Sequence, residues 1–297
     1  KGMLIIGAYG QLGSALQERF PAAKAVDRAQ LVMTDQAALA SFDWSGVETI
    51  INAAAYTDVD GAETPAGRVS AWQVNAVAVA NLARIANQTN ATLIHFSTDY
   101  VFDGTKYPHT EDEPLSPLGV YGQSKAAGDV AVTTSPKHYL IRTSWVIGRG
   151  KNFVRTMLGQ SEKGVSPRVV ADQLGRPTFT AQLVDAVVHL GKTQADAGIY
   201  NVSNDGPVVS WADFAREIFR QGKHNKTQVT DITSVEYAAA KLGTAPRPPH
   251  GEFDLSKITE SGLKLRSWQE DLAAYLEQFV CESYERSDYL QSENQSR

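Results

Sequence analysis

Residues 3–13, MLIIGAYGQLG, carry a short apolar run into a glycine-rich turn. The run is typical of a buried strand, and the apolar side chains after it recur at the spacing of one helix face. Those helix positions are Leu12, Leu16 and Phe20. Glycines between a strand and a helix allow a tight turn and let a pyrophosphate approach the N–H groups of the helix N-terminus. The stretch therefore predicts a dinucleotide-binding turn built on Gly7, Gly10 and Gly13.

Further apolar runs of strand length follow in the first half of the chain, with helical patterns between them. They are Thr49–Ala53, Thr92–Ser97 and His138–Thr143. Strands that alternate with helices indicate βαβ units, and right-handed crossovers arrange such units into a parallel sheet with helices on both faces. The sequence therefore predicts an α/β fold with a doubly wound parallel sheet that is Rossmann-like.

The pattern changes after about residue 145, and residues 244–251 hold three prolines that exclude regular structure. We expect residues 1–145 to form the dinucleotide-binding domain, with one segment near 180–205 returning to its sheet. Residues 146–297 are expected to form mainly a smaller C-terminal substrate domain. The polar residues 287–297 are expected to be a disordered tail.

The composition argues against several classes of protein. The 297 residues carry 28 Lys and Arg against 33 Asp and Glu, a formal net charge of −5, so we expect no nucleic-acid partner. A single cysteine, Cys281, excludes an internal disulfide and a thiolate zinc site, and the six histidines lack metal-ligand spacing. No apolar run approaches about 18 residues, so we expect no membrane partner and a cytoplasmic location. No metal ligands are assigned.

Asp27 and Arg28 stand at the end of the predicted second strand, 20 residues after Gly7. An acid at that position accepts hydrogen bonds from the adenosine ribose of NAD, whereas a neighbouring arginine can receive the 2′-phosphate of NADP. An aspartate at a strand end is also a common turn residue. The pair leaves the choice between NADH and NADPH open.

Tyr121 and Lys125 lie one turn apart in a predicted helix over residues 120–132. An ammonium beside a phenol stabilises the phenolate, so we expect the pKa of Tyr121 to fall toward neutrality. Such a tyrosine exchanges a proton with a substrate oxygen while a nicotinamide cofactor transfers a hydride. The spacing therefore indicates an oxidoreductase.

Two further observations bear on this pair. The loop that leaves a predicted strand at Thr98 carries hydroxyl and carboxyl groups, and ligands of parallel sheets bind at that end of the strands. Thr98 could hydrogen-bond the same substrate oxygen as Tyr121, or serve only as a turn residue. A second pair with the same spacing, Tyr237 and Lys241, follows no such loop and is expected to be an exposed surface pair.

Together these motifs resemble the extended short-chain dehydrogenases/reductases, and more narrowly the branch that reduces the C4 ketone of dTDP-4-dehydro-L-rhamnose to dTDP-L-rhamnose. The resemblance covers most of the chain and rests on six stretches. These are GAYGQLG (7–13), NAAAYTDVDGAE (52–63), STDYVFDG (97–104), SPLGVYGQSK (116–125), RTSWVIG (142–148) and DQLGRPT (172–178). It implies an NADPH- or NADH-dependent oxidoreductase whose partner is a dTDP-linked 4-keto-6-deoxy sugar.

The resemblance also implies roles for individual residues. The catalytic residues would be Thr98, Tyr121 and Lys125. The cofactor would be held by the glycine turn, the end of the second strand, a loop after the fourth strand and the catalytic helix. Its ligands would be Gly7, Gly10, Gln11, Leu12, Gly13, Asp27, Arg28, Ala55, Tyr56, Thr57, Tyr121 and Lys125. The sugar would contact Val59, Thr98, Asp99, Tyr121 and Trp145.

Other residues have two interpretations. A nucleoside diphosphate needs cations or N–H donors, so Arg142, Arg168 and Arg176 are candidate ligands or ordinary surface residues, and Arg176 is the favoured one. Trp145 could stack on a sugar or pack at a domain interface. Asn75, a polar residue on an apolar helix stripe, could bond the backbone near the active site or cap a neighbouring loop.

Two alternative functions stay open. Epimerases and dehydratases of the same family recycle a bound nicotinamide, and a dehydratase needs an extra acid/base pair beside its catalytic hydroxyl. Here Thr98 is followed by a single acid, Asp99. A non-catalytic regulatory subunit would bind NADP without turnover, which the presence of Tyr121 and Lys125 disfavours. A homodimer is compatible with any of these functions, and the sequence does not fix the oligomeric state.

Overall fold

The structure is a computed structural model and describes residues 2–278. The tail expected over 287–297, and Cys281, lie outside the described residues. The strands, in chain order, are β1 (Gly2–Ile6), β2 (Lys24–Val26), β3 (Val47–Asn52), β4 (Thr92–Thr98), β5 (His138–Thr143), β6 (Val146–Ile147), β7 (Arg168–Val170), β8 (Leu174–Gly175), β9 (Thr178–Phe179), β10 (Gly198–Asn201), β11 (Val209–Ser210) and β12 (Thr230–Ile232). The helices are α1 (Gln11–Arg19), α2 (Gln36–Ser41), α3 (Pro65–Trp72), α4 (Ala78–Thr89), α5 (Val120–Val132), α6 (Phe153–Glu162), α7 (Thr180–Thr193), α8 (Trp211–Gln221), α9 (Ser234–Ala240), α10 (Ser256–Glu260) and α11 (268–278).

Six strands form one sheet in the order β10-β5-β4-β3-β1-β2, and every neighbouring pair is parallel. The chain moves from β1 to β2 on one side and then through β3, β4, β5 and β10 on the other, which is a doubly wound topology. Ile5, Ile51 and Ile94 are aligned across the three strands that form the middle of the sheet. The predicted fold class is confirmed.

Both faces of the sheet are covered, which explains why its strands are continuous apolar runs. Alternate residues of each strand point to opposite faces. Leu4, Ile50 and Leu93 pack with the buried side of α4 on one face. Ile5 and Ile51 pack with α1 and α7 on the other. The sheet is therefore held rigidly between two helical layers, and its carboxyl edge is a stable platform for a site.

A third apolar cluster lies in the second half of the chain and gathers residues of α6, α8 and α11, including Leu158, Phe214 and Leu272. The chain returns from this lobe to the sheet twice, first through α7 and β10 and then through α10, whose Ile258 is fully buried against the sheet. The sequence predicted one return. The second was missed because five residues of helix are too few for an apolar periodicity to show.

Residues 244–251 lie outside the helices and strands, as expected from their prolines, and are called the proline strap below. The strap passes the carboxyl edge of the sheet: Pro248 and Pro249 approach Gly104 after β4, and Pro246 approaches Gly119 before α5. Within residues 2–278, no helix has both the length and the apolar character that a bilayer crossing requires.

Candidate active site

The glycine turn joins β1 to α1 with a backbone that only glycine fits. Gly7 has a φ of +84°, and a Cβ there would lie 2.6 Å from the backbone nitrogen of Ala54. A Cβ on Gly13 would overlap the carbonyl oxygen of Gly7. The missing side chains bring the turn, the helix and the loop after β3 into close contact, and they leave the backbone of the turn open to a ligand.

The first turn of α1 presents N–H groups without acceptors. The first helical N–H that reaches a carbonyl is that of Ser14, which donates to Gly10 at 2.9 Å. Nothing in the described part of the chain accepts from the backbone N–H groups of residues 11–13, and Gly10 supplies no side-chain cap. Free N–H groups at the positive end of a helix dipole fit the pyrophosphate of a dinucleotide. The Gln11 side chain points to the second lobe, where its Oε1 accepts from the Gly148 N–H at 2.8 Å.

Asp27 follows β2 and takes part in a turn. Its Oδ1 accepts from the N–H of Ala29 at 2.9 Å and of Gln30 at 3.2 Å. The turn role is therefore present, but Oδ2 has no partner among residues 2–278 and remains available to a ribose hydroxyl. Arg28 is exposed beside it. The pair fits either an adenosine ribose or its 2′-phosphate.

Thr98 ends β4 and Tyr121 lies in the first turn of α5, at the edge of the sheet that carries the glycine turn. Oγ1 of Thr98 donates to Oδ1 of Asp99 at 3.2 Å and accepts from the Tyr100 N–H at 3.1 Å. Burial raises the pKa of Tyr121 above its ordinary value, the Asp99 carboxylate raises it further, and the Thr98 hydroxyl opposes both. The expected fall of this pKa is wrong, because the loss of solvation on burial is the largest effect on the phenol and raises the pKa.

Lys125 lies one turn after Tyr121 in α5 and is buried, with 3% of its surface exposed. Its Nζ donates to the carbonyl oxygen of Phe96 in β4 at 2.6 Å. Burial lowers the pKa of Lys125 to about 8, and the carboxylate of Asp129, one turn further along α5, opposes that shift. The strand that carries Thr98 thus also fixes the ammonium, and no other acceptor for its N–H bonds lies within residues 2–278.

Asp99 places a second titratable group beside the phenol. It is 3% exposed, and burial raises its pKa to about 7 while a hydrogen bond from Thr98 and the charge of His109 work against the rise. The Tyr100 ring packs edge-on against the Tyr121 ring, with the ring centroids 5.8 Å apart. The site therefore holds a protonated phenol at neutral pH next to a carboxyl group that titrates close to neutrality.

Asn75 connects two parts of the site. It lies in a π-helical segment, Gln73–Val77, between α3 and α4, and is 1% exposed. Its side chain hydrogen-bonds the backbone of Tyr56 and the hydroxyl of Ser124 in α5. The expectation that Asn75 bonds the backbone near the site is confirmed. The loop with Ala55, Tyr56 and Thr57 follows the third strand rather than the fourth, because residues 31–35 form no strand.

Comparison with known proteins shows which family this chain belongs to. The family model described as the RmlD substrate binding domain matches residues 1–281. The chain belongs to that family. A dTDP-4-dehydrorhamnose reductase of Aggregatibacter actinomycetemcomitans is 38% identical over 300 residues, which covers 93% of this chain and 99% of the relative. The spore coat polysaccharide biosynthesis protein SpsK of Bacillus subtilis is 36% identical over 284 residues, or 93% of this chain and 97% of SpsK.

Two solved structures of dTDP-4-dehydrorhamnose reductases have the same fold as this chain. The crystal structure of a dTDP-4-dehydrorhamnose reductase from Clostridium acetobutylicum superposes with a TM-score of 0.86 at 33% identity and covers 94% of this chain and 100% of its own. The enzyme of the same name from Bacillus anthracis, in complex with NADP, superposes with a TM-score of 0.83 at 33% identity over 94% of this chain and 98% of its own.

Trp145 of this RmlD-family chain lies between β5 and β6 with a φ of +48°, which is uncommon for a residue other than glycine. Its ring stacks on Trp211, with the centroids 3.7 Å apart, at the border of the third apolar cluster. The packing role considered for Trp145 is therefore present. Contact with a sugar stays a prediction.

The three candidate arginines differ in what they bind. Arg142 is buried in β5, and its Nε donates to Oδ2 of Asp129 at 3.0 Å. Arg142 is therefore not a diphosphate ligand, because its strand buries the guanidinium. Nη1 and Nη2 of Arg176 donate to the Phe253 carbonyl oxygen and to Oε1 of Glu252, next to the strap, both at 3.3 Å. Its donors are thus already engaged, and a diphosphate contact stays a prediction. Arg168 is exposed.

The proline strap carries a residue that the motifs did not indicate. Residues of the strap, of α5 and of the loop after β3 line one small pocket beside the phenol, among them Val59, Tyr121, Ala245, Pro246 and Pro248. Arg247 donates to Oδ1 of Asp60 at 2.8 Å, and its charge opposes the rise that burial causes in the pKa of Tyr100. An arginine between prolines was the only signal of this contact in the sequence.

The second pair, Tyr237 and Lys241, lies on α9, which buries none of its residues. Lys241 donates to Oδ2 of Asp60 at 2.7 Å, so it helps to hold the strap. The expectation of a surface pair is confirmed. No group of three or more His, Cys, Asp or Glu within residues 2–278 is placed to hold a metal ion.

Proposed function

We propose that the chain reduces the C4 ketone of dTDP-4-dehydro-L-rhamnose to dTDP-L-rhamnose with NADPH or NADH. The observation that carries this proposal is the meeting of Tyr121, Thr98 and Lys125 at the sheet edge that also bears the glycine turn. Relatives named dTDP-4-dehydrorhamnose reductase, which match over most of both chains, support the same substrate.

The cofactor has a consistent set of ligands along this edge. The unpartnered N–H groups of residues 11–13 would hold the pyrophosphate. Asp27 or Arg28 would hold the adenosine ribose or its phosphate, and the loop with Ala55–Thr57 would line the nicotinamide half. When bound, a reduced nicotinamide supplies the hydride to C4.

The side chains of this chain supply the proton that the reduction requires. Because the pKa of Tyr121 is raised, its hydroxyl is protonated at neutral pH and donates that proton to the oxygen at C4 as the ketone becomes an alcohol. The Thr98 hydroxyl, at the end of β4, would orient the same oxygen. The buried ammonium of Lys125 stabilises the phenolate that Tyr121 leaves behind. Val59, Asp99 and Trp145 would contact the sugar, and Arg176 supports the segment that follows the strap.

The experiment is an assay of the purified chain with the 4-keto nucleotide sugar and either NADPH or NADH, followed at the absorbance band of reduced nicotinamide. We expect one cofactor to be oxidised for each sugar reduced. Product without net oxidation of added cofactor would indicate an epimerase or dehydratase instead. Cofactor binding with no turnover would indicate a non-catalytic subunit.

A further inference from the structure

A stripe of polar side chains interrupts the apolar face of the sheet beneath α5. Asn52, His95, Ser97 and Arg142 come from three neighbouring strands, and each is at most 4% exposed. The register places Asn52 beside His95 and Ser97 beside Arg142. Buried polar groups in such a layer cost free energy unless they are paired, so these side chains need hydrogen-bond partners. α5 supplies them.

Asp129 and Arg142 form the central pair of this stripe. Nε of Arg142 donates to Oδ2 of Asp129 at 3.0 Å, and both side chains are at least 97% buried. Nη1 of Arg142 donates to the carbonyl oxygen of Glu111 at 3.1 Å, and the guanidinium lies 5.1 Å from the Phe102 ring centroid. Arg142 is therefore fixed at several points, and it fixes the carboxylate in turn.

The carboxylate lies one helical turn from the proposed catalytic ammonium. Asp129 follows Lys125 at the i,i+4 spacing that puts two side chains on one helix face, and both are buried. Buried ion pairs contribute little to stability compared with apolar residues of the same size, so their value often lies in what they orient. Here Lys125 shares the helix face of Asp129, and the two charges interact.

The remaining charged and titratable groups around Lys125 leave Asp129 as its counter-charge. Burial and Lys125 itself lower the pKa of His95 well below its ordinary value, so that ring is neutral. Tyr121 has a raised pKa and is a neutral phenol. Asp99 acts on that phenol and on the loop after β4. Burial raises the pKa of Asp129, and the charges of Arg142 and Lys125 oppose that rise, so this one carboxylate serves both cations.

We propose that Asp129 and Arg142 are positioning residues for Lys125: Arg142 anchors the Asp129 carboxylate beneath the site, and that carboxylate keeps the buried ammonium charged. The inference rests on the proposed function, in which Lys125 acts as a cation. Without the carboxylate, burial alone would favour the neutral amine, which cannot stabilise the phenolate of Tyr121.

The test measures the protonation of Lys125 directly. The chain is labelled with ¹³C at the lysine ε-carbons, and the Lys125 resonance is assigned by its absence in Lys125→Met. Asp129→Asn is expected to lower the titration midpoint of Lys125 by at least ~1 pH unit, the usual effect of losing a close opposite charge. The alkaline limb of kcat should move down by the same amount, while KM for the sugar stays unchanged.

A second variant guards against loss of folding, because Asp129→Asn leaves a buried arginine unpaired. Asp129→Asn combined with Arg142→Gln removes both charges and is expected to lower the midpoint in the same direction. Asp271→Asn is the control: it removes a buried carboxylate that pairs with Arg266 at 2.6 Å in the second lobe, and it should leave Lys125 unchanged.

The outcomes separate the two claims. The midpoint is read without substrate or cofactor, so it does not depend on turnover. An unchanged midpoint in both folded variants overturns the positioning role of Asp129 and Arg142. A wild-type chain that oxidises neither cofactor with the sugar overturns the proposed function instead, whatever the midpoint of Lys125 is.

Discussion

The side-chain amide of Asn75 holds the backbone of Tyr56 at both ends: Oδ1 accepts from the Tyr56 N–H at 2.9 Å, and Nδ2 donates to the Tyr56 carbonyl at 3.1 Å. The same Nδ2 donates to Oγ of Ser124 at 3.1 Å, and that hydroxyl donates to the carbonyl of Tyr121 at 2.8 Å. One buried side chain therefore joins the loop assigned to the nicotinamide half with the helix that carries the proposed proton donor. π-helical segments such as the one around Asn75 are frequent at functional sites.

Asn75→Ala is expected to weaken both stability and turnover. The substitution leaves buried groups of Tyr56 and Ser124 without partners, so the free energy of unfolding should fall by ~1–3 kcal/mol. Because Tyr121 loses a fixed position relative to the loop, kcat should fall by at least ~10-fold in the folded protein. Urea unfolding and steady-state kinetics measure the two effects.

Asn81→Ala is the control for that experiment. Asn81 is 2% exposed and lies in α4, directly after the π-helical segment, but its Nδ2 has no partner within residues 2–278. Its removal should leave kcat near that of the wild type. Equal losses of kcat in the two variants would show that Asn75 matters only for packing.

Tyr121→Phe is expected to lower kcat by at least ~10²-fold, the usual contribution of a positioned general acid. Cofactor affinity should change little, because the ring and its packing against Tyr100 remain. Tyr237→Phe makes the same change in the surface pair and should leave kcat unaltered. Retained turnover in Tyr121→Phe would remove the phenol from the proton transfer.

The parts of this protein that the sequence predicts well are those set by neighbouring residues. The apolar run before Gly7, the helix after it and the spacing of Tyr121 and Lys125 are local patterns, and the structure contains each of them. Because parallel strands end at one edge of a sheet, the topology then brings the glycine turn and Tyr121 to that edge.

The parts that the sequence does not predict depend on residues far apart in the chain. The direction of the Tyr121 pKa shift depends on how deeply the fold buries the phenol, which no spacing reveals. Arg142 looks like a surface arginine until its strand is placed inside the sheet, between β4 and β10. The contact of Arg247 with Asp60 joins residues 187 positions apart, and neither segment has a periodicity that would suggest it.

Asp99 is expected to make stability depend on pH near neutrality. Burial raises the pKa of Asp99 from an ordinary 3.8 to about 7, so the folded protein favours its protonated form. The stability that this preference contributes is fully present below pH ~4 and is lost as the pH rises through about 7. Asp99→Asn removes this dependence. Relative to the wild type, the variant should gain up to roughly 4 kcal/mol in the free energy of unfolding between pH 4 and pH 8. Urea unfolding at the two pH values measures the difference.

Asp103→Asn provides the comparison in the same loop. Hydrogen bonds from Thr105 lower the pKa of Asp103, so it stays ionised from neutral pH down to below its ordinary value. Its substitution should therefore leave the stability difference between pH 6 and pH 8 as in the wild type. A parallel pH dependence in wild type and Asp99→Asn would mean that Asp99 is ionised throughout.

Asp60→Asn is expected to release the proline strap from the small pocket beside Tyr121, where the sugar is proposed to bind. Burial alone would raise the pKa of Asp60, but hydrogen bonds from Arg247, Lys241 and the Ala245 N–H outweigh it and hold the pKa below its ordinary value. The carboxylate is thus ionised at neutral pH and makes charge-assisted bonds to the strap, which are worth ~1.5–3 kcal/mol each. KM for the sugar should rise by roughly 10-fold, with a smaller change in kcat, because the strap lines the pocket but bears none of the proposed catalytic groups.

Hydrogen exchange distinguishes release of the strap from a general loss of structure in Asp60→Asn. The Ala245 N–H donates to Oδ1 of Asp60 at 3.0 Å and should exchange faster in the variant, while amides of β4 keep their wild-type rates. Asp58→Asn changes an exposed acid in the same loop whose side chain accepts from the Gly61 N–H at 2.9 Å, and it should alter neither KM nor exchange at Ala245. If KM rises equally in both variants, the loop itself rather than its hold on the strap shapes the substrate pocket.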